Sequence, residues 1–388
     1  MFVIKKEWSY ITLIVYLIMA LLMAFLFKKA IQSKNNKETI KFKKWNLKIK
    51  YLYYILIYLI FILFSCYRYI GVDVGGADVP NYVKYFYNLG YVNFDLKKTL
   101  IFNGYEYLFY NTMYLIRIIG GNFRTFLIFE NSVMIISLIY FVDKNIEEEK
   151  KCYWLTLAFL PLLKGFNIIR NCVSAFFCYL SMSKLNENKY LISIVLALIA
   201  YLNHYVAIVV LALIIFYKYL PDDILKNKKL MVILNILSII ISCISLPLLK
   251  IILANTGYCG YVAKIDVSLW GYIPYMLIYF LMILDNGVKD YLIAIKHEGY
   301  YKIIYFLSLM LPFFIILNAA NRVLLLFDLP IIIIAMDISK YYTKYIPKKY
   351  INLYNVLIFF LVVSYFLFRI YRIWDGYCIM PYHNVLFQ

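Results

Sequence analysis

This 388-residue chain has little charge and very few acids. Only 16% of its residues are charged, and Asp and Glu together number 21 against 40 Lys and Arg. A soluble domain carries about 25% charged residues, so this shortage argues against an aqueous globular protein. With 64% hydrophobic residues and a mean hydropathy of +0.76, the chain reads instead as a polytopic membrane protein. It also lacks a G-x-G-x-x-G or Walker motif, which leaves no nucleotide site on the cytoplasmic side and makes ATP an implausible energy source. Its seven Cys form no C-x-x-C pair and no Cys/His spacing typical of a metal site. Cys66, Cys152, Cys172, Cys178 and Cys243 lie in or beside apolar runs, where a small hydrophobe is the default role. Cys259 and Cys378 fall in candidate outer loops, and a disulfide is conceivable only between those two. There is no long polar linker and no clear internal repeat, so residues 1–388 are expected to form a single transmembrane domain.

Apolar runs predict an all-α fold of about twelve transmembrane helices. They lie at Trp8 to Phe27, Tyr51 to Ile70, Phe126 to Val142, Tyr153 to Ile169, Asn171 to Ser183, Tyr190 to Leu202, Tyr205 to Leu220, Leu230 to Leu253, Tyr272 to Leu284, Tyr301 to Leu317, Val323 to Ile338 and Ile351 to Ile370. The first is too long for a signal peptide and lacks a cleavage pattern, so it is expected to be retained. The four between Tyr153 and Leu220 are short for a span of roughly 20 residues. Short, tightly connected spans leave their polar ends recessed, and a polar cavity is the expected consequence.

Lys and Arg are segregated. The loop from Lys28 to Lys50 carries nine Lys and one acid, which places it in the cytoplasm and both termini outside. This accounts for the net charge of +19 through anionic lipid and not through nucleic acid. All seven Arg (Arg68, Arg117, Arg124, Arg170, Arg322, Arg369 and Arg372) then fall at or near outer ends. Arg offers a planar fork that grips phosphate and carboxylate through two hydrogen bonds. An outer face supplied with Arg therefore points to an anionic ligand there.

The stretch from Arg68 to Phe86 concentrates polar residues after an apolar run. Gly71, Gly75 and Gly76 permit backbone conformations closed to other residues, and Pro80 interrupts a simple helix. Residues 71–122 are read as an outer-face loop with half-polar segments suited to interfacial helices. Elsewhere, Arg170 has Asn167 and Ser174 on the same helical face, and Arg322 has Asn318 and Asn321 beside it. His204, at a tight outer turn after Asn203, has the unperturbed pKa suited to proton transfer near neutrality. Asp73 and Asp78 are the outer carboxylates closest to Arg68, each able to serve as a base or to orient an Arg. Glu130 and Asp328 sit inside helices, where an acid is either functional or paired with Lys164 or an Arg.

Taken together, Arg68, Gly71, Asp73, Tyr82 and Phe86, then Glu106, Ile169-Arg170-Asn171, Asn203-His204, Asn321-Arg322 and Pro381-Tyr382, resemble in order the motifs of the EpsG-type family of bacterial polysaccharide polymerases, relatives of the Wzy polymerases. Two departures stand out. Gly-x-Asp occurs twice, at Asp73 and at Asp78, and the Glu106 segment lacks the Pro-Gly expected after it. The resemblance implies a GT-C-like membrane glycosyltransferase at the outer face of the bacterial cytoplasmic membrane, joining repeat units carried on undecaprenyl pyrophosphate without a nucleotide. It implies pyrophosphate and substrate binding by Arg68, Arg170, Arg322, Tyr82, Glu106, Asn171 and Asn321, and a base at Asp73, with His204 and Asp78 as rivals. No cofactor is called for, and nothing in the sequence demands a metal. Implied partners are the lipid-linked oligosaccharide, membrane lipid, a chain-length regulator and a flippase.

A lipid-linked oligosaccharide flippase is the main alternative and would also need a basic cavity. It should present cations to both sides, whereas the non-Lys polar set here lies on one. An outer-face acyltransferase would more often show a His-Asp or Ser pairing, and none is found.

Overall fold

The computed structural model of the chain describes residues 7–42, 45–71, 74–88, 106–220, 227–254, 273–316 and 320–386. Among them are sixteen α-helices and one two-stranded hairpin. Five helical stretches are long and apolar enough to cross a membrane: Tyr10–Asn35, Ile49–Cys66, Phe123–Asn145, Lys228–Ser245 and Lys348–Tyr377. Tyr190–Asn203, Tyr205–Tyr219 and Tyr275–Leu284 are shorter apolar helices. The expected run from Tyr153 to Ile169 is instead a 3-10 segment, Glu149–Ala158, followed by a short α-helix, Phe159–Lys164.

The described chain divides into two compact units, Met1–Phe177 with Ile199–Tyr205 and Tyr342–Gln388, and Cys178–Leu198 with Val206–Tyr341. In the first unit, α1 (Tyr10–Asn35) packs against α2 (Ile49–Cys66) and against the 3-10 segment. The hairpin β1 (Thr39–Phe42) and β2 (Trp45–Lys48) joins these two helices, with Ile40 opposite Leu47. Then come α3 (Val79–Asn88), α4 (Tyr107–Ile118), α5 (Phe123–Asn145), α6 (Phe159–Lys164) and the start of α7 (Ile169–Asn186). Ser9 caps α1, its hydroxyl accepting from the Thr12 amide at 3.2 Å. Asn122 and Thr125 form a reciprocal capping box at α5. The last helix of the chain, α16 (Ile351–Tyr377), packs on α6 and the 3-10 segment.

In the second unit lie most of α7 and of α8 (Tyr190–Asn203), α9 (Ile208–Tyr219), α10 (Lys228–Ala254), α11 (Ile273–Leu284), α12 (Asn286–Ala294), α13 (Glu298–Ile316), α14 (Ala320–Leu325) and α15 (Asp328–Tyr342). Helix α13 packs against α9 and α10. The Ser181 hydroxyl bonds Ser193 across α7 and α8, and the Tyr179 hydroxyl donates to the Leu325 carbonyl. Asp328 accepts from the Tyr275 hydroxyl.

The C-terminal end of α2 organises the first unit. Its last four carbonyls have no partner within the helix, and no glycine follows to close the turn. Side chains supply the donors, three of them remote and one local: Asn384 to Leu63 at 3.0 Å, the Tyr382 hydroxyl to Phe64 at 2.8 Å, Arg124 to Cys66, and the nearby Arg68 to Ser65. Val385 then donates its amide to the Tyr67 carbonyl at 2.8 Å. The ring of Tyr382 stacks on Phe64 at 4.4 Å. The C-terminal strap that carries these residues also accepts from the 75–77 loop, the Gly75 and Gly76 amides both reaching the Cys378 carbonyl. Cys378 is a free thiol that donates to the Asp375 carbonyl at 3.5 Å, and Cys259, its suggested disulfide partner, lies outside the described residues.

Arg68 is the buried hub of this arrangement, 1% exposed. Besides Ser65, it donates to the Gly75 carbonyl at 3.1 Å and the Phe166 carbonyl at 3.0 Å, and its guanidinium lies over the Phe166 ring. Arg68→Ala is expected to cost at least about 3 kcal/mol, because three carbonyls lose a charged donor inside the protein. Arg68→Lys should recover little, since one ammonium cannot span the three directions. Thermal unfolding of purified protein measures both, with exposed Arg372→Ala as a control expected within about 0.5 kcal/mol of wild type.

Candidate active site

From Arg68 the chain builds a polar site in three steps. The Phe166 carbonyl held by Arg68 sits against Gly76, whose φ of +119° and lack of a Cβ allow the two backbones to meet. One residue further, the Asn167 side-chain oxygen accepts from the Asp78 amide at 2.6 Å. Asp78 opens α3 through its own carbonyl, which accepts from the Asn81 and Tyr82 amides. Residues 166–170 and the first turn of α3 are thereby fixed to one another, and Arg170 on α7 meets Tyr82 on α3.

Arg170 is the centre of this site. Its Nε donates to the Tyr82 hydroxyl at 3.3 Å, and its Nη1 donates to the Tyr110 hydroxyl at 3.2 Å and to the Glu106 carboxylate. The rings of Tyr82, Phe109 and Tyr110 surround the guanidinium at 5.3 to 5.9 Å. These contacts leave Nη2 without a hydrogen-bond partner among the described residues, and the side chain is 26% exposed. Arg170 thus differs from Arg68 in keeping part of its fork open to a ligand.

Glu106 precedes α4 without capping it, so its carboxylate is available to distant groups. One oxygen takes Arg170, and the other lies 3.5 Å from His204 Nε2. The His204 side chain is 4% exposed, and its ring stacks on Tyr205 at 4.5 Å. Its amide closes the end of α8 on the Ala200 carbonyl, the same carbonyl to which the Ser174 hydroxyl on α7 donates at 2.9 Å. Guanidinium, carboxylate and imidazole therefore form one chain across segments that are 64 and 98 residues apart.

Burial raises both phenols at the site, Tyr110 to about 12 and Tyr82 further, while the Arg170 charge pulls each down. Both stay protonated at neutral pH. Because Arg170 donates to their oxygens, each phenol retains an O–H that can be offered to an anion beside the guanidinium.

The other sequence-predicted residues are distributed as follows. Asn171 is buried beside Arg170, and Asp78 is half-buried at the head of α3. Arg68 belongs to the scaffold, its donors turned to three carbonyls. Arg117 and Arg124 likewise serve carbonyls, at Phe86 and Tyr87 and at Cys66 and Arg68. Asp73 lies outside the described residues, as does Asn318. Arg322 and Asn321 are on α14 in the second unit. Glu130 and Lys164 are buried on α5 and α6. Among the described residues no group of three or more His, Cys, Asp or Glu is placed to hold a metal ion. Sequence reasoning passed over Tyr110 as a ligand to Arg170; it stands four residues after Glu106, one helical turn on, and that spacing was the available signal.

The set built here includes Tyr82, Glu106, Arg170 and His204, and a family model covering residues 51–384 matches the chain: the EpsG family. The chain belongs to the EpsG family. Its members are polysaccharide polymerases of glycosyltransferase type, and the apolar helices agree with a membrane protein. No curated protein and no solved structure matches the chain. The matched region includes the strap residues Pro381 and Tyr382 as well as the site, so the family's span takes in both the clamp on α2 and the residues around Arg170.

Breaking the Arg170–Glu106 pair should leave the remaining partner uncompensated. A double-mutant cycle with Arg170→Ala and Glu106→Gln, read by thermal unfolding, is expected to give a coupling of about 1–3 kcal/mol. A coupling near zero would mean that solvent already screens the pair.

Proposed function

We propose that this EpsG-family chain joins oligosaccharide repeat units carried on undecaprenyl pyrophosphate, at the outer face of the bacterial cytoplasmic membrane. The observation that supports this most directly is the half-open Arg170 fork beside a carboxylate and an imidazole, inside an aromatic wall. A guanidinium and two phenol O–H groups suit the oxygens of a pyrophosphate. Tyr82, Phe109, Tyr110 and the exposed Tyr85 supply faces on which sugars can stack.

In this reading the acceptor sugar hydroxyl attacks the anomeric carbon of the growing chain. The new glycosidic C–O bond forms as the bond to the lipid pyrophosphate breaks, and the pyrophosphate departs with the electron pair. Arg170, Tyr82 and Tyr110 stabilise the negative charge that develops on it. The hydroxyl proton passes to Glu106. Engagement of Arg170 by pyrophosphate draws positive charge away from that carboxylate and makes it a better base just when substrate is present. His204 holds the second carboxylate oxygen in place. Asp73 and Asp78 are the other carboxylates to be weighed for the base, and the donor is already activated, so no nucleotide enters.

The test is polymerisation by purified protein given a lipid-pyrophosphate-linked repeat unit without nucleotide sugar, with products resolved as a ladder. Arg170→Ala is expected to reduce the rate by about 10²–10³-fold, and Glu106→Gln by about 10²–10⁴-fold. Arg170→Lys should remain strongly impaired because the planar fork is lost. If Asp73→Asn abolishes the ladder while Glu106→Gln retains it, the base is Asp73. If the wild type leaves the repeat units unjoined but moves them across a liposome bilayer, the chain is a flippase.

A further inference from the structure

The opposite, lysine-rich end of the first unit holds a polar cavity. It has a volume of about 410 Å³ and lies at the base of the hairpin, where α1 ends, β1 begins, β2 ends and α2 begins. Lys34, Lys37, Lys48 and Lys50 line it, together with Ser33 and Glu38. Lys34 and Lys50 share a single carboxylate, that of Asp143, at 3.6 and 3.0 Å. The Glu38 carboxylate is held by the Asn36 side chain at 3.0 Å. Four lysines against two acids leave the cavity with two positive charges in excess.

Ser33 is an independent sign that the cavity takes a ligand. It is 2% exposed, and its hydroxyl has no hydrogen-bond partner among the described residues. A buried hydroxyl left unbonded costs about 1–3 kcal/mol, so a group that accepts from it would be stabilised there.

Position argues for what that group is. Helices α1 and α2 are both long and apolar enough to cross a membrane, and the cavity lies at their shared end. That is the depth of lipid headgroups. Beside it, Ile40 and Leu47 face each other across the hairpin and are exposed at 44% and 39%, with Tyr51 and Leu52 exposed on the first turns of α2. Apolar side chains next to lysines are the pattern of an element lying in a membrane interface.

We infer that this cavity is a binding site for the phosphodiester of an anionic phospholipid headgroup, with Lys37 and Lys48 as the principal cations, Ser33 as a hydrogen-bond donor, and Ile40 and Leu47 in contact with the acyl region. Lys34 and Lys50, already shared with Asp143, shape the site and add to its field. The inference stands apart from the polymerase reading, because it concerns neither the Arg170 site nor its substrate.

Purified full-length protein in detergent is titrated with phosphatidylglycerol, phosphatidylcholine or inorganic phosphate, and adducts are counted by native mass spectrometry. Phosphatidylglycerol is expected to bind wild type, and the Kd to rise about thirtyfold in Lys37→Asn/Lys48→Gln. Asn is chosen at 37 because it tolerates the positive φ found there. Ser33→Ala should weaken binding severalfold while melting no earlier than wild type without lipid, since it removes an unbonded hydroxyl. Lys348→Gln/Lys349→Gln, at an exposed basic turn, should bind as wild type does. The inference is overturned if phosphatidylcholine binds as tightly as phosphatidylglycerol. It also fails if both site variants bind like wild type, or if millimolar inorganic phosphate displaces the lipid completely, which would indicate a soluble anion.

Discussion

The carbonyl end of α2 is the constraint from which the first unit follows. Four acceptors at the end of an apolar helix must be bonded, and neither a glycine turn nor a following helix supplies the donors. The chain meets this with Asn384 and Tyr382 from the C-terminal strap, Arg124 from α5, and the neighbouring Arg68 from the loop itself. Each donor carries its own segment to the same place. The strap, the 75–78 loop and the turn at Phe166 are held together by one capping problem, and Arg68 touches all but the strap through its side chain.

The candidate site is a consequence of that assembly. The Phe166 carbonyl is tied to Arg68 and Asn167 to the Asp78 amide, and these ties bring Arg170 within hydrogen-bond reach of Tyr82. Arg68 and Arg170 then illustrate how the same side chain takes opposite roles. A guanidinium with 1% exposure and backbone carbonyls on three sides is an internal staple. One with 26% side-chain exposure, a nitrogen without a hydrogen-bond partner among the described residues and a carboxylate beside it is, in the function proposed above, a recognition group. Glu106 links this recognition group to His204, so charge arriving at Arg170 is felt at the imidazole.

The two cations divide the labour by their chemistry. Arg, with a planar fork, is used where several fixed acceptors must be met at once, at the end of α2 and around the aromatic wall. Lys, a compact charge on a flexible stem, is used around the hairpin, where a lipid headgroup can be met from many directions. The hairpin cavity also shows that the basic loop is more than a topological signal, since its lysines and Ser33 converge on one space.

Much of this was legible without coordinates. Long apolar runs with scarce charge require a membrane, because no other solvent tolerates that surface, and the ordered motifs around Arg170, Glu106 and His204 marked the family. Tyr110 was visible in principle as the residue one turn beyond Glu106. What sequence could not separate was Arg68 from Arg170, since both follow apolar helices and both have polar neighbours. Periodicity reports what lies within one or two turns, whereas the role of a guanidinium is set by what faces it. Those partners, Phe166 for one and Glu106 for the other, stand 98 and 64 residues away, and only the packed chain brings them within hydrogen-bond reach. Composition and motif order carry the membrane class, the family and the inventory of charged groups; packing sets which of those groups are consumed in holding the fold and which keep donors open to solvent.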